Sequence, residues 1–336
     1  MKINIKNRIK SICATLFISL FLSCNNGIEE LQKQRDSILS ISNLRQNFLD
    51  IFTSFSDMFT DAFGITTETT KKQVGEHLGK VGDAVQAVKG KLENIKADEN
   101  FDLIKDKAES IIIKAIETLG KIVEGTNKIK VATKDANGPI GGHTTDNQSA
   151  VQAIKASVEG LVEGISMIYR TAKEANIDSK GEAKKTITNV QAVGKLFGTN
   201  SEVNGGNGSE LKAAHIALTA VSGADILAAI DAVKDQSGVP GNIDAATNAF
   251  EMAIANASGA NNITGDVNTN ASAIAAGIAL KAMAQNGKLA TVATHAPGKE
   301  VNALLIETVT KTLNELLSTI RRTVDKCLKD VSDLIK

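Results

Sequence analysis

Large aromatic side chains are almost missing from this sequence: no Trp, one Tyr (Tyr169) and ten Phe in 336 residues. A core without big rings is built from Leu, Ile, Val and Ala, which suits helices packed on helices. Net charge is missing too, with 38 basic residues against 38 acidic. That balance argues against a nucleic-acid-binding surface, which needs a basic patch. Cysteine is limited to Cys13, Cys24 and Cys327. No apolar run reaches the roughly 20 residues that cross a bilayer as a helix. The motifs GxxxxGK[ST], GxSxG, HExxH and CxxC are all missing. His77, His143, His215 and His295 are scattered, with no second ligand at helical spacing for a local zinc site. Nothing here supports an enzyme, a metal or a cofactor. The sequons at Asn147 and Asn262 are expected by chance in an Asn-rich chain.

The first thirty residues carry a different kind of information. Lys2, Lys6, Arg8 and Lys10 precede an uncharged run from Ser11 to Ser23, and "FISLFLSCNN" then closes that run at Cys24. A basic segment, a short apolar core and a small residue have the layout of a bacterial export signal. Leu20, Phe21, Leu22, Ser23 and Cys24 resemble a lipobox, with cleavage between Ser23 and Cys24 and acylation of the Cys24 thiol and amine. The competing readings are a plain signal with an incidental cysteine, or a buried N-terminal helix. The expected division is a signal peptide over 1–23, a lipidated tether over 24–30 and a single helical domain over 31–336. With residues 1–23 removed the balance becomes 34 basic to 38 acidic. Only Cys327 is then left unmodified, so no intrachain disulfide can form.

The body of the chain reads as all-α. Ile28–Phe63 forms a predicted long helix with Phe48, Phe52, Phe55, Phe59 and Phe63 on one face, a core stripe rather than a cofactor groove. Gly64 ends it, and Thr66–Thr70 caps the next. Val74, Leu78, Val81, Val85, Val88, Leu92 and Ile95 alternate by four and three, a heptad seam. Gly75, Gly79 and Gly82 beside it each cost about 1 kcal/mol of helix propensity relative to Ala, so they suggest close helix approach. A third helix over about Asp102–Ile129 carries Ile104, Ala108, Ile111, Ala115, Leu119 and Ile122, and Lys134–Asn147 follows as a loop. A fourth carries Val151, Ile154, Val158, Leu161, Ile165, Ile168 and Ala172. "IVEGT" (Ile122–Thr126) and "LVEGI" (Leu161–Ile165) echo one another, too briefly to establish a repeat.

From Gly198 to Gly298 the composition shifts to Gly, Ala, Asn, Ser and Thr. Short Ala-rich helices are predicted near Leu211–Val221, Ala224–Val233, Ala245–Ala257 and Ser272–Gln285, between polar loops. The last helix, about Lys299–Lys336, has the stripe Ile306, Val309, Leu313, Leu316, Ile320, Val324, Cys327, Val331 and Leu334, which makes Cys327 a buried small hydrophobe rather than a reactive thiol. The expected architecture is an elongated helical bundle: long N- and C-terminal helices paired near a membrane, with shorter helices and polar loops at the outer end.

Three stretches carry a family resemblance. Ser11–Leu31 resembles the leader of the variable large proteins of relapsing-fever Borrelia. Ala271–Thr291, "ASAIAAGIALKAMAQNGKLAT", resembles the sixth invariant region of their Lyme-disease relative VlsE, and Ala220–Val233 fits the family's central block. The resemblance implies an outer-membrane surface lipoprotein that serves antigenic variation. It would meet host antibodies and hold to the outer membrane through its lipid. The alternative is an adhesin for an unidentified host receptor, and a third reading is a coiled-coil partner acting through the Val74–Ile95 seam. In the first reading exposed loops such as Glu202–Glu210 and Ala260–Asn270 change freely, while the apolar "AIAAGIALKAMA" helix (Ala273–Ala284) lies buried.

Overall fold

The computed structural model describes Gln46 and residues 64–97, 105–142, 145–178, 180–188, 190–205, 207–238, 241–257 and 262–333. The chain divides into two compact units, Met1–Leu44 and Arg45–Lys336, and every described residue lies in the second. Apart from Gln46, which is helical, the predicted Ile28–Phe63 helix lies outside the described residues, as do its Phe stripe and its pairing with the C-terminal helix.

The described residues are all-α, with six isolated β-bridges and no strand. The α-helices are α1 (Lys71–Ala97), α2 (Lys105–Thr133), α3 (Lys155–Glu174), α4 (Asn200–Asn204), α5 (Ser209–Ala220), α6 (Gly223–Asp231), α7 (Ala249–Ile254), α8 (Ala271–Met283) and α9 (Gly298–Ser332). Short 3-10 turns occupy Gln191–Phe197, Ile243–Ala245 and Gly265–Thr269.

Thr70 caps α1 as its sequence suggests. Its N–H donates to Gln73 Oε1 at 2.8 Å while Gln73 N donates back to the Thr70 hydroxyl at 3.2 Å, a reciprocal capping box that satisfies two end donors. Six of the seven seam residues on α1 are buried, with Val81 half-buried at the margin. Their partner is α2 of the same chain. The seam is therefore filled internally, which removes the motive for a coiled-coil partner. The glycines mark the close approach: a Cβ on Gly79 would stand 2.6 Å from Lys130 Cδ, and one on Gly75 or Gly82 would strike Thr133 or Thr126.

Helix α2 turns through 134–154 into α3, which lies antiparallel to it. The two echoing pentapeptides meet here. A Cβ on Gly125 would lie 2.9 Å from the Gly164 carbonyl oxygen, and one on Gly164 would lie 2.6 Å from the Gly125 oxygen. The echo is thus a shared packing solution, with each helix using its glycine to admit the other's backbone. On α2 the buried position is Ile112, with Ile111 half-buried. On α3, Val158 to Ala172 are buried as the periodicity predicts, but Val151 and Ile154 precede the helix and are exposed. Val151 instead pairs main chain to main chain with Lys288.

Helix α9 buries Val309, Leu313, Leu316, Ile320, Val324, Cys327 and Val331. Ile306 is half-buried and Leu334 lies outside the described residues. The buried stripe is wider than the apolar pattern because Thr308, Thr312 and Thr323 turn their hydroxyls onto the carbonyl four residues back, at 2.7–2.8 Å. A threonine that bonds its own helix presents a methyl to the core at little desolvation cost.

A sealed core helix and its loop-covered surroundings

Helix α8 is the hub of the short-helix region. It touches α1, α3, α5, α6, α7, α9 and the Gly265–Thr269 turn, and all thirteen of its residues are buried. Its sequence explains this: Ala, Gly, Ile, Leu and Met surround the axis, so neighbours can approach from every side. Gly277 accepts α7 most closely, with Met252 Cβ 2.9 Å from where a Cβ would stand.

The N-terminal end of α8 is held by the strap over 180–190. Asn270 Oδ1 caps Ala273 N at 3.0 Å, Ala271 N donates to Lys185 O at 2.9 Å, and Ser272 Oγ donates to Glu182 O at 2.6 Å. The same strap is tied to α6 through Asp225. That carboxylate caps α6 in a box with Ser222 and accepts from Glu182 N at 2.8 Å. Burial opposes its charge, but the N–H bonds from Ser222 and Glu182, the Ser222 hydroxyl and Lys185 hold its pKa below the usual carboxylate value.

Lysines from distant elements close the other ends of the short helices. Lys311 of α9 donates to Leu218 O and Val221 O, both at 2.9 Å, at the end of α5. Lys281 of α8 donates to Ala253 O at 3.2 Å near the end of α7 and lies 5.3 Å from the Phe197 ring centre. Lys71 of α1 reaches the end of α8. Each places a cation where last-turn carbonyls are orphaned and the helix dipole is negative. Lys71 and Lys281 are fully buried. Burial lowers both pKa values to about 7, and for Lys71 the nearby Lys281 and Lys288 act in the same direction.

Loops enclose this core and are joined through both backbone and side chains. Gln148 and Thr291 exchange main-chain bonds, as do Val151 and Lys288; Ala150 N donates to Gly198 O and Ala290 N to Leu196 O. Within Glu202–Glu210, Asn204, Gly205, Asn207 and Ser209 are exposed, but Val203 and Glu210 are buried. Within Ala260–Asn270, residues 264–266 are exposed while Ile263 and Val267 are buried. The freedom expected of whole loops therefore belongs to alternate positions within them.

Of the singled-out residues, Cys24 and the Ser23–Cys24 junction lie outside the described residues, as does His143. Cys327 is buried in the α9 stripe. Burial and Asp330 push its thiol up to about 11, which suits a core hydrophobe rather than a nucleophile. Among the described residues no three His, Cys, Asp or Glu side chains are grouped to hold a metal ion. A concavity of about 740 Å³ lies between α2 and α3; it is lined by the exposed Val131 (62%) and Ile154 (40%) and by Glu124, Lys128 and Glu163. Sequence reasoning missed the three capping lysines. The one available signal was Lys281, a lone charge inside a thirteen-residue run that is otherwise apolar or small.

The family profile described as Borrelia lipoprotein matches residues 48–335. This chain belongs to the Borrelia lipoproteins. Its relatives include variable large protein 4 of Borrelia hermsii, 32% identical over 98% of this chain and 93% of that protein. Variable large protein 17 of the same organism is 36% identical over 84% and 78% of the two chains. The crystal structure of the Lyme disease variable surface antigen VlsE of Borrelia burgdorferi matches with a TM-score of 0.75 at 27% identity, covering 88% of this chain and 98% of that one. The helical fold of that antigen is thus shared over most of this chain.

Proposed function

We propose that this chain is a lipid-anchored outer-surface antigen of the bacterium, and that its function is antigenic variation, which evades host antibody without any catalysis. Cys24 carries the anchor in this reading, acylated on thiol and amine after cleavage behind Ser23. Its partners are the outer membrane, through that lipid, and host antibodies. The observation that carries the reading is the pairing of a wholly buried central helix with loops tied in part by main chain and carrying exposed residues between buried anchors. Main-chain bonds do not depend on side-chain identity, so exposed residues can be replaced while the frame holds.

The test is the set of sequences that successive clonal populations express at this locus. The reading expects replacements at Asn204, Gly205, Asn207, Ser209 and 264–266. It expects retention of apolar or buried residues at Val203, Glu210, Ile263, Val267 and throughout α8. Replacements spread evenly over buried and exposed positions, or a sequence that never changes, would contradict it. Mass spectrometry of the N-terminal peptide from bacterial membranes tests the anchor, with a triacylated Cys24 expected and an unmodified cysteine contrary.

A further inference from the structure

Lys71 opens α1, a position where a lysine side chain ordinarily points to water, yet it is among the largest fully buried side chains. Its Nζ lies 2.9 Å from Ala284 O and 3.3 Å from Lys281 O, and it also donates to Gly287 O. These acceptors come from the last turn of α8 and the bend behind it. Asn286 at φ 66° curls the chain back. Gly287 then lies so close to Lys281 that a Cβ would stand 3.0 Å from its carbonyl carbon. The bend thus brings the Gly287 carbonyl beside the two from the helix. Three carbonyl oxygens meet the three N–H donors of one ammonium, a full complement, and no carboxylate among the described residues joins them.

We propose that the C-terminal end of α8 is a binding site for a primary ammonium group, which the chain occupies with its own Lys71, and that this plug keeps α8 closed at that end. The opposite end of α8 is held to the 180–190 strap by main-chain bonds and the Ser272 hydroxyl, but the inward-facing carbonyls at this end have Lys71 as their donor. With the plug withdrawn, buried carbonyls are left without partners, which favours local opening toward water. The inference is independent of the immune role, since it concerns how the frame holds together.

Hydrogen exchange on the mature chain carrying Lys71→Ala tests it, with n-propylammonium as the probe because it supplies the missing three carbons and ammonium. The amides of residues 281–290 are expected to lose at least about tenfold protection, the loss of a charge-assisted bond. Amides around Gly125 and Gly164 should stay within about twofold. Adding n-propylammonium should restore protection, whereas tetramethylammonium, equally charged but without an N–H, should not. Unchanged protection at 281–290, loss of equal size throughout α2 and α3, or restoration by both cations or by neither overturns the proposal. If Lys71→Ala is unfolded by circular dichroism, refolding by n-propylammonium alone supports the site, and failure to refold overturns it.

Discussion

Replacing Gly164 by Ala and Gly90 by Ala should move stability in opposite directions, although both are helix-interior glycines. In a helix interior Ala is favoured over Gly by ~0.5–1 kcal/mol, and nothing lies within 4 Å of where the Gly90 Cβ would stand. Gly90→Ala should therefore gain close to that amount. At Gly164 the new methyl would meet the Gly125 carbonyl oxygen at 2.6 Å and Ile129 Cγ1 at 2.6 Å. The oxygen is backbone inside α2 and cannot rotate aside, so α2 and α3 must separate. Overpacking of that kind costs about 1–3 kcal/mol, enough to outweigh the propensity gain. The expected gap between the two variants is about 1–3 kcal/mol, because the propensity gain is common to both and the overpacking cost alone separates them. Urea unfolding followed by far-ultraviolet circular dichroism reads it directly. A rise in midpoint for both variants would refute the close-approach reasoning.

Four further outcomes are expected. Ser222→Ala should lower stability by about 1–2 kcal/mol, because it opens the α6 capping box and loosens Asp225 beneath the strap, again by urea unfolding. Asp225 is held below its ordinary pKa, so its stabilising effect is present above about pH 4 and is lost as pH falls through the lower folded value; Asp225→Asn should flatten that acid limb. Lys281 has its folded pKa lowered to about 7, so the unfolded chain binds the proton more tightly and this group's share of stability rises between about pH 7 and 10. Lys281→Met should then be better tolerated at pH 7 than at pH 10, and equal effects at both would contradict the burial assignment. Cys327 should react with a disulfide reagent only as fast as the fold opens, and fast labelling of native protein would contradict its place in the core.

Much of this architecture is legible residue by residue. The α1 seam, the α9 stripe and the burial of Cys327 follow from three-four spacing, because a helix facing one neighbour repeats its contacts with that period. Val151 and Ile154 break the rule since periodicity continues past the helix start, while their backbone is already committed to pairing with Lys288 and Gln285. The threonines of α9 were invisible to an apolar count because their polarity is satisfied inside the helix. The capping lysines were invisible for a related reason: Lys71, Lys281 and Lys311 bind carbonyls far away in sequence, and no local pattern records such acceptors. The loops were legible as loops, yet not the buried anchors Val203, Glu210, Ile263 and Val267 within them.

In the proposed role α8 is sealed inside the frame, and exposed loop residues alone meet antibody. Antibodies raised against a peptide of Ala271–Met283 test it on living bacteria and on the purified chain. They are expected to bind the denatured chain strongly and to leave both the folded chain and intact cells unstained. Equal binding to intact cells and to denatured protein would contradict the account.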